Sequence, residues 1–225
     1  MRAANTESRR RKHDGVAGFT LIEVLVSVFI LAIGLLGIVS LQYASKQVGY
    51  DSLQRSTAAM LAEGLIERLR ANPGDEDEDG VLLTYIPAAG RTFKHSDSIP
   101  TPPACGSSNC TPENWAQYDL AQWYNELIGS AETVSGSTAP TGGLVTPWAC
   151  LFNINAPVAG GQTAADIIVA IAWAGRNELP DVASATGDAA FDAARNCGRG
   201  DATDFPLNGT DSLRRVLVMR AFVSQ

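Results

Sequence analysis

The sequence predicts an α+β chain in which one long N-terminal helix precedes an antiparallel β-sheet. Three observations predict it. Apolar residues run almost unbroken from Phe19 to Leu41. Leu53, Thr57, Leu61, Leu65 and Leu69 then recur every four residues, up to Pro73. Three short β-branched runs, 148–155, 166–174 and 214–223, come late and are separated by Gly, Pro and Asn clusters. A long helix first and strands afterwards, without alternation, argue for antiparallel pairing rather than a parallel sheet.

The 225 residues have room for one domain plus an anchor, or at most two small domains. Charge is unevenly spread. Residues 1–18 carry five basic side chains, Arg2, Arg9, Arg10, Arg11 and Lys12, against Glu7 and Asp14, a net of +3. The overall −7 therefore leaves −10 on residues 19–225. An acidic body repels phosphate backbones, which disfavours nucleic acid as a partner.

From Phe19 to Leu41 the only charge is Glu23, and 16 of the 23 residues are Leu, Ile, Val or Phe. At helical rise that run spans about 34 Å, enough to cross a hydrocarbon core. Those side chains favour insertion by roughly 7 kcal/mol, against about 3 kcal/mol for a buried acid. Insertion wins. The basic cluster then keeps the N-terminus in the cytoplasm and sends the chain after Lys46 across. A removable secretory signal fits less well, because the run is long and no A-x-A site follows. A plain single-pass anchor leaves Glu23 unexplained, and intramembrane ionisable residues mark function by default.

The helix is predicted to continue as an amphipathic segment, with Met60 beside the four-residue stripe and Arg55, Glu63, Glu67 and Arg68 elsewhere around the wheel. It ends at Ala71 or Asn72, before Pro73 and Gly74. Gly34 and Gly37 weaken it by about 1 kcal/mol each, permitting either local bending or close helix approach. The run GDEDEDG (74–80) resembles half a calcium loop, but the twelfth position falls on Ile86, which cannot coordinate, so a solvated loop is expected. A second helix is predicted over Pro112–Ile128, capped by Thr111 and stopped by Gly129. Ala116, Leu120, Trp123 and Leu127 line its core face, flanked by Trp115, Tyr118 and Tyr124. Such aromatics also suit stacking on sugars or bases, but at helical spacing they read as core. The three strand-like runs follow, and residues 178–211 form a long loop with a short helical turn near Ala189–Arg195.

The residues RRRKHDGVAG followed by FTLIEVLVSVFILAIGLLGI resemble the prepilin signal of type IV pilins: a basic leader ending in Gly18, then Phe19, with Glu23 the fifth residue. The segments LAEGLIERLRANPGD (61–75), CTPENWAQYDLAQWYNEL (110–127) and VAIAWAGR (169–176) are similar to the PilV group of minor pilins. The likeness is strong over 18–75, moderate at the middle helix and thin beyond 129; residues 130–165 match no part of that pattern.

The resemblance implies a type IV pilin fold with a removable leader (1–18), a transmembrane and assembly helix (19–45), its amphipathic continuation (46–72) and a periplasmic α+β domain (73–225). It implies cleavage between Gly18 and Phe19 by a prepilin peptidase and methylation of the new Phe19 amine. That amine lies one helical turn from Glu23, and in a bundle Glu23 would meet the amine of a neighbouring subunit. An acid merely snorkelling to the interface is the plainer alternative. Implied partners are other minor pilins, the major pilin, the inner-membrane assembly platform and a tip adhesin. The implied roles are priming assembly or sitting at the pilus tip, in twitching motility and adhesion. A type II secretion pseudopilin and a membrane-anchored module binding DNA or a receptor are the alternatives.

Four cysteines beyond the membrane run point to disulfides in an oxidising compartment. Of three possible pairings, Cys105–Cys110 and Cys150–Cys197 are favoured; closing these loops is worth about 2 and 4 kcal/mol. The second would tie the terminal loop to the sheet much as in pilins. Zinc is a poor rival, since His95 is the only histidine outside the leader. The sequence holds no hydrolase, phosphate-loop or dinucleotide signature, so neither an enzyme nor a cofactor is expected.

Overall fold

The computed structural model describes residues 18–72, 80–98, 100–105, 110–133, 135, 142–154, 164–179, 187–200, 204–205 and 211–224. The leader, the acidic run and much of 130–165 and 178–211 lie outside them. The elements are α1 (Leu21–Ala71), α2 (Gly80–Tyr85), β1 (Arg91–Lys94), α3 (Pro112–Ile128), β2 (Trp148–Asn153), β3 (Ala164–Ala174), α4 (Ala189–Arg195) and β4 (Arg214–Ser224). The chain divides into one unit up to Lys46 and a second from Gln47.

In the first unit, α1 runs unbroken through Gly34 and Gly37, and no atom lies within 4 Å of where either Cβ would sit. The second unit is built on a sheet of order β1-β2-β3-β4, antiparallel throughout. Its register sets Phe93 opposite Ala149, Trp148 opposite Ala172, and Ile171 opposite Leu217.

Both faces of this sheet are covered, which explains why β2 and β3 read as continuous apolar runs rather than alternating ones. Ala149, Leu151, Ile167, Val169, Ile171 and Trp173 share a core with the second half of α1, with α2 and with α3. Trp148, Cys150, Ile168, Ala170 and Ala172 pack on the other side with Ala194 of α4, Cys197 and Phe205. Disulfides join Cys105 to Cys110 and Cys150 to Cys197, with Cα separations of 5.4 and 5.8 Å. The second fastens β2 to the segment after α4.

The buried face of α1 differs from the predicted stripe. Leu61, Leu65 and Leu69 are buried, but Leu53 and Met60 are each 60% exposed. Gln54, Ala58, Ala62 and Ile66 take their places. A strict four-residue spacing advances about 40° per step around an α-helix, so a row of five walks roughly 160° and cannot keep one face. Gln54 earns its burial through its amide: its Oε1 accepts from the Val145 N–H at 3.2 Å.

The Pro112–Ile128 helix carries both of its expected stops. Thr111 accepts from the Asn114 N–H, and Gly129 adopts the left-handed conformation at φ 65°. A Cβ there would lie 1.9 Å from the Gly142 carbonyl carbon, so only glycine fits. Two elements were not anticipated from sequence, α2 and β1.

Candidate assembly site

At the start of the chain's long helix, Thr20 supplies the first acceptor: its carbonyl takes the N–H groups of Glu23 at 3.1 Å and Val24 at 3.3 Å. Glu23 therefore stands in the first turn, where a carboxylate faces the unsatisfied N–H groups of the helix end. Gly18, Phe19 and Glu23 are all exposed, Phe19 to 84%. Phe19 and Glu23 sit one turn apart.

Around them lies a surface that water does not tolerate. All 16 Leu, Ile, Val and Phe side chains between Phe19 and Leu41 are more than half exposed. Such a continuous apolar surface needs hydrocarbon or other apolar helices against it. Length and composition suffice for one membrane crossing. In either setting Glu23 is the one charge between Phe19 and Leu41, and its carboxylate requires a cation or hydrogen-bond donors.

The C-terminal end of the same helix is held by a polar clasp. Arg68 donates to the Asp119 carbonyl at 3.0 Å and to Glu126 Oε1 at 2.6 Å. Asn72 donates to the Pro112 carbonyl at 2.8 Å, and Tyr85 Oη donates to Asp119 Oδ2 at 2.5 Å. Trp123 Nε1 donates to the Leu61 carbonyl at 2.8 Å across a fully buried contact. The segments ERLRAN (67–72) and AQYD (116–119) thus bind each other. Sequence reasoning singled out both stretches without seeing that they meet, because the contact spans about fifty residues of chain.

On the far side of the sheet, Asp166, buried, accepts twice from Arg220 Nε, at 2.8 and 3.0 Å. Arg220 also reaches Asp188, whose other carboxylate oxygen caps α4. Trp148 Nε1 donates to Asp204 Oδ2 at 2.6 Å, and His95 Nδ1 lies 3.3 Å from that oxygen. His95, the one histidine outside the leader, therefore lies beside a carboxylate. Among the described residues no group of three or more His, Cys, Asp or Glu is arranged to hold a metal ion.

Two tyrosines of the second unit bind their protons tightly. Burial, and then the hydrogen bond to Asp119, push the Tyr85 hydroxyl well above its ordinary value of 10.0. Burial, and then the nearby Asp97 carboxylate, push Tyr124 up to about 12. Both pKa values are higher folded than unfolded, so the stability they contribute is complete below pH about 10 and is lost as pH climbs toward 12. Urea unfolding of the protein should show stability falling across that window, with a shallower fall in Tyr124→Phe. An identical pH slope in the variant would contradict this assignment.

Residues 14–39 match the prokaryotic N-terminal methylation motif, a stretch that contains Gly18, Phe19 and Glu23. Residues 40–121 match the Tt1218-like family model, described as type IV pilin Tt1218. That match holds Arg68, Asn72, Tyr85 and Asp119 of the clasp. No curated protein and no solved structure matches the chain. The long helix and four-stranded antiparallel sheet are consistent with the type IV pilin fold. The two matches support a pilin subunit with a prepilin-type N-terminus.

Proposed function

We propose that this chain, similar to type IV pilin Tt1218 over residues 40–121 and to the prokaryotic N-terminal methylation motif over residues 14–39, is a minor pilin that primes pilus assembly or sits at the pilus tip. The carrying observation is a lone Glu23, one turn from Phe19, in a stretch from Phe19 to Leu41 whose Leu, Ile, Val and Phe side chains are all more than half exposed. A prepilin peptidase cuts between Gly18 and Phe19 and methylates the new amine. The subunit then waits in the inner membrane with its C-terminal domain in the periplasm. Assembly exchanges lipid for neighbouring pilin helices, a near-neutral transfer for apolar side chains. The charged groups differ. Glu23 gains the Phe19 amine of another minor pilin or of the major pilin, and a paired charge is far cheaper to bury than a single one. The apolar contact supplies area and the ion pair supplies register.

Cys105, Cys110, Cys150 and Cys197 serve this role indirectly, by bracing the soluble domain where it meets the periplasm or the outside. A secretion pseudopilin carries a nearly identical signal, but the match over residues 40–121 favours the pilus. Proteomics of sheared filaments tests the reading. The chain should appear there at a small fraction of the major subunit, and its deletion should lower pilus number. Its confinement to the membrane with a secretion platform would contradict the pilus assignment.

A further inference from the structure

A cleft of about 440 Å³ in the second unit is lined by Thr84 of α2, Arg91 of β1, Pro100, Thr101, and Gln117 and Leu120 of α3. Arg91 is the one charged lining residue among the described residues. The guanidinium is fixed from two sides: Nη2 donates to the Thr84 carbonyl at 2.8 Å, and Cζ lies 5.8 Å from the centre of the Phe93 ring. Its other nitrogens are unsatisfied by the described residues. Nε is buried with no acceptor. Nη1 likewise has no acceptor among the described residues. No carboxylate among the described residues pairs with this cation. In a half-buried site that is unusual, because enclosed charges ordinarily find a counter-ion. Burial already lowers the affinity of Arg91 for its proton, a penalty that a bound anion would relieve.

We propose that this cleft binds the carboxylate of an acidic sugar. One guanidinium matches one carboxylate, and delocalised charge on both sides makes the pair directional. The Thr101 hydroxyl and the Gln117 amide each donate and accept, as hydroxyl groups on a sugar ring require. Leu120 gives the ring an apolar wall. The volume lies within the range of small-molecule sites and suits one or two rings. Polyanions are disfavoured by the −10 carried on residues 19–225. The ligand is therefore singly charged and rich in hydroxyl groups.

Full-length protein in detergent, titrated calorimetrically at low ionic strength with sodium glucuronate, glucose and inorganic phosphate, tests the assignment. Saturable glucuronate binding in the millimolar range is expected, with glucose weaker by about tenfold or more for want of the charged hydrogen bonds. Arg91→Gln should weaken glucuronate by a similar factor. Because Arg91 also braces Thr84, Gln117→Glu serves as the second variant. Gln117 is exposed on α3, so the change adds a repelling charge to the cleft without removing a core contact. Absence of saturable glucuronate binding overturns the proposal, as does unchanged affinity in Gln117→Glu. Phosphate binding as tightly as glucuronate also overturns it, because the cleft would then be a simple anion hole.

Discussion

Glu23→Ala should be inserted and cleaved normally, yet its incorporation into filaments should fall by about a hundredfold or more. Insertion improves, because removing the acid relieves a cost of about 3 kcal/mol within the apolar run. Cleavage is untouched, since Gly18 and Phe19 remain. The loss appears only when helices meet. A Phe19 amine then enters an apolar bundle without its carboxylate, and breaking a buried pair by removing one partner costs about 3–5 kcal/mol, more than two decades in an association equilibrium. Immunoblots of membranes and of sheared filaments separate the two steps. Wild-type levels of the variant in filaments would refute the ion-pair role of Glu23 and leave it a snorkelling acid.

Trp123→Ala should destabilise the second unit by about 3–5 kcal/mol, whereas Trp115→Ala should cost about 1 kcal/mol or less. The two indoles lie on the same helix. Trp123 is fully buried, edge-on to Phe93 at 5.9 Å, and its Nε1 bonds to the Leu61 carbonyl. Truncating it opens a cavity and strips that contact from the joint between α1 and α3. Trp115 is 43% exposed and meets only Tyr118 among the described aromatics, at 5.7 Å. Urea denaturation of both variants measures the difference. Equal losses would mean that the aromatic face of α3 is not the core it forms in the structure.

How readable each element was follows from how local its determinants are. The α3 helix depends on Thr111, Pro112 and Gly129, all adjacent to it, and its two ends emerge from sequence. The short α4 is similar, since Asp188 stands directly before it. Neither α2 nor β1 has such signals. The strand RTFK is four residues long and exists through its pairing with β2, a partner more than fifty residues away. The face of α1 was misjudged for a different reason. Large aliphatics drew attention to Leu53 and Met60, while the fully buried positions include the small Ala58 and Ala62. Small residues permit contact without advertising it.

The candidate site divides the same way. Gly18, Phe19 and Glu23 stand out by sequence spacing alone, within the stretch that matches the methylation motif. The clasp of Arg68, Asn72, Tyr85 and Asp119 does not, since its chemistry arises only when α1, α2 and α3 converge. Arg91 went unnoticed altogether. Nothing in its neighbourhood marks it until the fold shows that no acid among the described residues comes to meet it.

The account rests on a helix that begins at Phe19 with a free, methylated amine one turn from Glu23. Intact-mass and N-terminal peptide mass spectrometry of the protein purified from the cell envelope addresses this directly. The predicted result is a chain starting at Phe19 and heavier by one methyl group. An intact leader, or a first residue other than Phe19, would contradict it.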